Sequence, residues 1–177
     1  MMKFSALIVG CSLLAPLHLA YACGYDGQVN NPFVQGYPGS LSVALATKRA
    51  VESKQLTEPK ALVAAEGLAR VTGWLEQLRR RLQLAQLDNN FSVYLFDSQL
   101  WTRFDVLGGN VLMQSHITPK TDGVVLISSE ATLSALLNGQ LNIDQAQQLN
   151  LIRWANRSDT AVQVAFAKAS GSLSFFE

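Results

Sequence analysis

The 177-residue sequence contains few charged residues. Asp, Glu, Lys and Arg make up 15% of it, whereas an ordinary soluble domain has about 25%. Lys3 is the only charged residue among residues 1–22, so the rest of the chain keeps thirteen of the 14 basic residues, equal to its 13 acidic ones. A net charge of zero creates no bulk field for nucleic acid or anionic polymers, so the sequence predicts no nucleic-acid partner.

Cysteine and histidine are also scarce. If residues 1–22 are removed, Cys23 and His116 are the only members of either type that remain. One cysteine allows no internal disulfide, and a zinc site built from Cys and His would lack ligands. We therefore predict no metal and no cofactor.

The common catalytic and nucleotide-binding motifs are missing as well. Gly108-Gly109 has neither the spacing nor the following helix of a phosphate-binding loop, and there is no Gly-x-Ser-x-Gly elbow. A Ser-His-Asp site would have to use His116, with Asp97 or Asp122. Asp97 and Asp105 flank Trp101 and offer a carboxylate pair, for which turn and strand-end roles are the alternative. The sequence favours a protein that is not an enzyme.

Residues 1–22 have the pattern of a secretory signal peptide. Lys3 precedes an apolar run, and Ala20-Tyr21-Ala22 matches the small-x-small cleavage pattern. The run is too short to span a bilayer. Cleavage would make Cys23 the first residue, and residues 19–23 resemble a permissive bacterial lipobox. We predict an exported or periplasmic protein, with lipid attachment at Cys23 and a free thiol both left open.

The remaining chain divides into an irregular tether over residues 23–39, rich in Gly, Asn and Pro, and one domain over residues 40–177. Ser40 is predicted to cap a first helix over residues 41–55, with Leu41, Ala44, Leu45 and Val51 on its inner face. Thr57 is predicted to cap a second helix that continues to residue 88.

After residue 90 the hydrophobic period changes to two. Strands are predicted over residues 91–96, 100–104, 111–117 and 123–127. Two short helices follow, over 128–137 and from Asn142 to near Asn150, and then a strand over 151–155. Residues 160–169 fit helix or strand, and helix is favoured. The predicted fold class is α+β, an antiparallel sheet packed by N-terminal helices and two short C-terminal helices.

The segment from Glu130 to Ile152 resembles the signature of sterol-carrier-protein-like domains. It has an acid-capped Leu-rich helix, the Gly139-Gln140-Leu141 turn, a short helix with Ala146 and a strand. In the order of elements the resemblance covers residues 91–169. It implies a domain that holds lipid between its helices and a curved sheet. The start of the predicted mature chain, Cys23-Gly24-Tyr25-Asp26, together with Tyr37-Pro38-Gly39-Ser40-Leu41, is also similar to a group of uncharacterised exported bacterial proteins, which implies an address and no activity.

The sequence therefore suggests an exported noncatalytic domain that binds an apolar ligand or lipid between its sheet and helices. The alternatives are an accessory module that docks on another exported protein, and a hydrolase that uses carboxylates or His116. Apolar pockets carry a few polar groups for orientation. Four aromatic residues are predicted to line the site and two arginines to meet a ligand head group: Trp101, Phe104, Trp154, Phe166, Arg103 and Arg153. Each aromatic residue fits an ordinary core position equally well.

Overall fold

The computed structural model describes residues 37–62, 64–117 and 123–171. The predicted signal peptide, Cys23 and most of the tether lie outside these residues. The helices are α1 (Ser40–Glu52), α2 (Ala64–Leu84), α3 (Glu130–Leu137), α4 (Ile143–Gln148) and α5 (Thr160–Ser170). The strands are β1 (Phe91–Leu95), β2 (Leu100–Leu107), β3 (Asn110–Ser115), β4 (Val124–Ser128) and β5 (Arg153–Ala155).

The five strands form one mixed sheet in the order β3-β2-β1-β4-β5. Strands β1 to β3 form the predicted antiparallel meander, and β4 pairs antiparallel with β5. The central pair, β1 and β4, is parallel, with Phe91 opposite Val124 and Leu95 opposite Ser128. The structure confirms the α+β class and places every predicted strand to within a few residues, but the sheet is mixed because β4 enters it beside β1.

The main core lies on one face of the sheet, which we call the inner face. Strand residues alternate between faces, and every second residue of β1, β2 and β4 points into this core, together with the apolar stripe of α2 and the buried side of α5. The rings of Phe91 and Phe104 stack with centroids 5.2 Å apart, and Phe166 meets Phe91 edge-on at 6.3 Å. The inner face is therefore filled by the chain's own side chains.

Helix α1 covers part of the opposite, outer face. Val43 packs in one cluster with Tyr94, Val125 and Ile127 of the sheet. The predicted inner face of this helix was wrong for Leu41 and Leu45, which are 60% and 48% exposed, whereas Val51 packs against the main core. The helix is rotated so that its small and β-branched residues meet the sheet.

The cap of α1 also differs from the prediction. Gly39 is the N-cap residue, with φ of 96°, and Ser40 lies inside the helix. A Cβ at Gly39 would come within 2.9 Å of the Arg153 side chain. Glycine thus serves both the left-handed backbone and the close approach of Arg153.

The second helix starts later than predicted. Thr57 and the residues up to Leu62 are not helical, and α2 begins at Ala64. A tertiary contact accounts for part of this difference, since the Lys60 carbonyl accepts a hydrogen bond of 2.6 Å from Arg70 Nη1. The non-helical segment becomes one wall of the cleft described below.

Side chains of α2 cover part of the free edge of strand β3, the first strand of the sheet order. Gln83 accepts from the Val111 amide at 2.6 Å and donates to the Gly109 carbonyl at 2.7 Å. Arg79 donates to the Val111 carbonyl at 3.1 Å. These bonds satisfy backbone groups of edge strand β3 that would otherwise be open to another strand.

The short helices begin where the sequence predicts. Ser129 caps α3 by accepting from the Thr132 amide at 3.1 Å, and Asn142 forms a capping box with Gln145. The terminal segment is the helix α5, capped by Asp159. Each cap satisfies amides that have no partner within their own helix.

Candidate functional site

The parallel pairing of β1 and β4 brings two distant parts of the chain together. The carboxyl ends of parallel neighbours reach the same edge of a sheet. The turn after β1 therefore lies beside the start of α3, where the Phe96 amide donates to the Ser128 carbonyl at 3.1 Å. This juxtaposition places Asp97 and Ser98 next to Glu130.

Asp97 is held by backbone amides. Its Oδ2 accepts from the Glu130 amide at 2.8 Å, and its Oδ1 accepts from the Ser98 amide at 3.2 Å. The bond to Glu130 ties the β1–β2 turn to the first residue of α3, whose amide would otherwise lack a partner. The carboxylate therefore has a fixed position at the end of the sheet where β1 and β4 terminate.

Burial raises the pKa of the Asp97 carboxyl from 3.8 to about 6. The amide of Glu130 opposes this shift, and the negative charge of Glu130 adds to it. As a whole the residue is exposed, so solvent reaches part of it through the cleft while surrounding protein still disfavours the charge. Asp97 thus exchanges a proton within the range of mildly acidic to neutral pH.

Arg70 lies opposite Asp97, beside the same residue, Glu130. Its Nη2 lies 3.3 Å from Glu130 Oε2, and both side chains are largely buried, at 22% and 11% exposed. Its Nη1 bonds to the Lys60 carbonyl, and its guanidinium lies over the Trp74 ring at 5.1 Å. Three contacts from three segments fix this side chain.

These groups line an open cleft of about 540 Å³, which we call the Asp97 cleft. Its walls come from α1, the segment before α2, the turn after β1 and the start of α3. The apolar lining residues are Ala44, Val51, Pro59, Ala61, Leu62, Phe96 and Ala131. The polar ones are Thr47, Lys48, Glu58, Arg70, Asp97, Ser98 and Glu130.

Unpartnered polar atoms are concentrated around this cleft. In the described part of the chain, five buried side-chain polar atoms have no hydrogen-bond partner, and three belong to cleft residues: Thr47 Oγ1, Arg70 Nε and Ser98 Oγ. Buried polar groups are nearly always hydrogen-bonded, and each orphan costs about 1–3 kcal/mol. All three atoms are closed to solvent, so they are unsatisfied groups of the fold beside the cleft and are not presented to its interior.

The six residues predicted from the sequence do not meet at one site. Trp101 and Arg103 alternate with Phe104 on β2 and lie on the outer face, as does Arg153 of β5. The remaining three belong to the inner core: Phe104, Trp154 and Phe166. None of the six lines the Asp97 cleft. Their role in ligand binding stays a prediction.

Trp101 and Arg103 already have partners on the outer face. Trp101 stacks on Tyr94 at 4.5 Å and meets Tyr37 edge-on at 5.1 Å. Arg103 pairs with Asp105 at 2.6 Å and donates to Gln114. These contacts anchor the end of the tether and the strand surface.

The carboxylate pair expected from the sequence is not assembled. Asp97 lies in the turn before β2, whereas Asp105 is the sixth residue of that strand and pairs with Arg103. At about 3.3 Å per strand residue, five residues separate Leu100 from Asp105 by about 16 Å. Glu130, which the sequence reasoning did not consider, is the carboxylate beside Asp97. His116 is exposed beyond β3, and its possible partner Asp122 lies outside the described residues.

Thr47, Arg70, Ser98 and Glu130 were missed by the sequence reasoning. Glu130 gave one usable signal, since it is the only charged residue in helix α3. Arg70 is one of two charged residues in the first half of α2, with Glu66. Thr47 and Ser98 carry no comparable sequence signal.

The described residues offer neither a cluster of metal ligands nor a long apolar helix. No group of three or more His, Cys, Asp or Glu side chains there has the arrangement of a metal site. No helix in residues 37–62, 64–117 or 123–171 has the length and apolar character needed to cross a membrane.

Comparison with known proteins gives distant structural likenesses. No family model matches the chain, and no curated protein matches it. The structure is similar to sterol carrier protein 2, with 16% identity over 58% of this chain and 88% of that one, at a TM-score of 0.41. It is also similar to a conserved hypothetical protein from Thermus thermophilus, described as possibly sterol carrier protein, with 14% identity over 67% and 96% of the two chains and a TM-score of 0.37.

A third likeness is to part of an enzyme. The inverting sec-alkylsulfatase Pisa1 from Pseudomonas sp. matches 51% of this chain with 13% identity and a TM-score of 0.39. The match spans 13% of the sulfatase. These comparisons assign no ligand and no activity to the chain.

Proposed function

We propose that the protein is a noncatalytic domain that binds an amphipathic molecule in the Asp97 cleft. The observation that supports it is the combination, in one open cleft, of an apolar wall with the exposed charged residues Lys48, Glu58 and Asp97. Its volume of about 540 Å³ lies within the range of about 300–1,000 Å³ that small-molecule sites occupy. This proposal keeps the ligand class suggested by the sequence and moves the site.

The division of the lining residues gives the ligand an orientation. Lys48, Glu58 and Asp97 are the exposed polar lining residues, and they offer a donor and acceptors to a polar end. Leu62, 38% exposed, and its apolar neighbours offer a surface for a short hydrocarbon part. Covering that surface gains about 25 cal/mol per Å², while the polar groups fix the position.

The filled inner face supports the same choice. A ligand between α2 and the sheet would have to displace Leu75, Leu78 and Leu82, all 0% exposed, from contact with Phe91 and Phe104. Opening that space would leave packing contacts unmade and cost several kcal/mol. The open cleft requires no such displacement.

The test is a titration of purified protein with a fluorescent dodecyl glyceride, preceded by mass spectrometry of an organic extract. Ala44→Trp, which places a large ring in the cleft wall, is expected to weaken probe binding at least about tenfold. Ala161→Trp is the matched control, because Ala161 is an exposed residue of α5 outside the cleft. Its affinity is expected to equal that of the wild type.

Leu62→Asp is a second variant that adds no bulk. It places a charge on the apolar wall. The affinity for the probe is expected to fall because the apolar contact is lost. Equal binding by the wild type and both cleft variants, or no binding at micromolar concentration, would contradict the proposed function.

Acid–base catalysis at Asp97 is the second candidate. The observation that favours it is the raised pKa of a carboxyl placed in a cleft. The compound recovered from the extract would be incubated with the wild type, Asp97→Asn and the control Asp105→Asn, and followed by mass spectrometry. Conversion that only Asp97→Asn loses would establish catalysis, and an unchanged compound would favour binding alone.

Export is a separate proposal, which rests on residues 1–22 alone. Intact mass of the protein isolated from its source should correspond to a chain that begins at Cys23. Added mass that Cys23→Ser abolishes would identify acylation, and an unmodified mass a free thiol. A mass that includes residues 1–22 would contradict cleavage.

A further inference from the structure

We infer that the open end of edge strand β3 pairs with the same strand of a second copy of this chain. The pairing is antiparallel and two-fold symmetric, and Gln114 lies on the symmetry axis. It joins the two sheets edge to edge into one continuous sheet. The inference goes beyond the proposed function, because it rests on the sheet edge and does not depend on a ligand in the Asp97 cleft.

Helix α2 covers only one end of the β3 edge. The amide and the carbonyl of Val111 point away from β2, because they bond to the side chains of Gln83 and Arg79 in α2. Backbone groups change direction at every residue of an antiparallel strand. The amides and carbonyls of Met113 and Ser115 therefore also point away from β2.

A hydrogen bond just beyond β3 agrees with this alternation. The His116 amide points toward β2 and donates to the Trp101 carbonyl at 2.9 Å. Within the part of the chain that the structure describes, no group outside the sheet bonds to the backbone of Met113 or Ser115. The edge is thus closed at Val111 and open over the next two outward-pointing residues.

The residue types along this edge favour a second copy as the partner. Natural edge strands usually avoid other strands by means of a charged residue, a proline or a bulge. β3 has none of these, and residues 106–119 contain no Asp, Glu, Lys or Arg. A two-fold contact brings identical side chains together, so a charge near its axis would repel itself. An uncharged edge meets the requirement of a symmetric pair.

The available hydrogen bonds select one register. A pair centred on Met113 would need the Val111 amide and carbonyl, which α2 already occupies. A pair centred on Ser115 would need residue 117, which lies beyond the strand. A pair centred on Gln114 sets Met113 opposite Ser115 of the second copy on both sides of the axis. Each of these pairs exchanges both of its N–H···O bonds.

The side chains beside the axis fit this register. Gln114 opposes Arg103 and Leu112 opposes Asp105 on β2, so both lie on the outer face, where Leu112 is 44% exposed. Arg103 donates to Gln114 Oε1, which keeps a second acceptor site, and the amide nitrogen keeps its donors. The two Gln114 amides hydrogen-bond to each other across the axis, and Leu112 packs beside His116 of the second copy.

Disulfide crosslinking tests the contact together with its register. Gln114→Cys is made in a chain whose Cys11 and Cys23 are replaced by serine. Residues opposite each other in a non-hydrogen-bonded pair have Cα atoms about 4.5 Å apart, a distance that a disulfide spans. Leu112→Cys is the matched control on the same strand and face. At about 3.4 Å per residue, position 112 lies about 14 Å from its own copy.

Under mild oxidation, we expect the Gln114→Cys chain to form an intermolecular disulfide at least about tenfold faster than Leu112→Cys, because pairing holds its thiols at a high effective concentration. Equal rates for the two variants would show collision between separate molecules and would overturn the inference.

Sedimentation of the wild type measures association without a crosslink. We expect a reversible dimer between about 1 μM and about 500 μM protein. Gln114→Lys places two ammonium groups at the axis and should raise the dimer dissociation constant at least about tenfold. Gln147→Lys, the same change at an exposed residue of α4, should leave the constant unchanged.

A wild type that stays monomeric over this range of concentration would overturn the inference. A dimer that Gln114→Lys does not weaken would have its interface elsewhere and would overturn it as well. Ligand binding in the Asp97 cleft is measured separately, so failure of the proposed function leaves this result unaffected.

Discussion

The inner face of the sheet and the Asp97 cleft differ in how completely their side chains are packed and hydrogen-bonded. On the inner face, Phe91, Phe104 and Leu78 are at most 2% exposed and contact one another or their neighbours. In the cleft, buried polar atoms of Thr47, Arg70 and Ser98 lack partners in the described structure. The comparison teaches that the inner face is filled by packing, whereas the residues around the cleft leave polar atoms unsatisfied and an open surface uncovered.

Phe104→Ala should have the largest effect and tests the closed side of this comparison. Removing a fully buried ring that stacks on Phe91 should lower the free energy of unfolding by about 3–5 kcal/mol. Chemical denaturation measures this, with Leu112→Ala as a control on an exposed strand residue. The affinity of the folded fraction for the glyceride should stay unchanged. A loss of affinity in the folded fraction would instead place the ligand on the inner face.

Glu130→Gln tests how the cleft floor is held together. It removes the charge partner of Arg70 within a largely buried pair and should lower the free energy of unfolding by about 2 kcal/mol, below the loss for a fully buried pair. The Arg70→Met and double variants complete a double-mutant cycle. Additive losses in that cycle would show that the two side chains do not interact.

Asp97→Asn tests the raised pKa through the pH dependence of stability. Between about pH 4 and the pKa of about 6, folded Asp97 keeps its proton and the unfolded residue has lost it. Its contribution to the free energy of unfolding therefore falls as the pH rises through this range and is constant above it. Relative to the wild type, the Asn variant should gain about 1 kcal/mol across the range, since solvent in the cleft screens the charge.

Denaturation curves at about pH 4 and about pH 7 measure this difference. Asp105→Asn is the control, because it lies outside the cleft and pairs with Arg103. A stability difference between wild type and Asp97→Asn that is the same at both pH values would contradict the raised pKa.

Thr47→Val should have the smallest effect on stability. It replaces an unpartnered hydroxyl by a methyl of similar size, so the free energy of unfolding should stay the same or rise by up to about 1 kcal/mol. Differential scanning calorimetry shows the sign as a change in Tm. A loss of more than about 1 kcal/mol would mean that the hydroxyl has a partner in the folded protein.

The fold was largely predictable because its signals are local. The period-two pattern of residues 91–127, the Ser129 cap and the Asn142 capping box depend on residues within a few positions of one another, and the structure has each of them. The rotation of α1 was not predictable, because Leu45 is as apolar as Val43. Packing against the sheet buries Val43 and leaves Leu45 exposed.

The cleft could not be predicted because it depends on contacts between distant segments. Asp97 and Glu130 meet through the parallel pairing of β1 with β4, whereas an antiparallel meander gives no such neighbour. Arg70 reaches Glu130 across 60 positions of sequence. The aromatic residues were chosen from the sequence because of their residue type. Since side chains alternate along β2, Trp101 and Phe104 lie on opposite faces of the sheet.

The most direct test of the central claim is an amide chemical-shift titration of the isotopically labelled protein with 1-monododecanoylglycerol. We predict that the saturable shifts concentrate on the amides of Thr47, Ser98, Glu130 and Leu62, and that Ala44→Trp abolishes them. Shifts concentrated on Trp154 and Phe166, or the absence of saturable shifts, would contradict the claim that the Asp97 cleft binds the ligand.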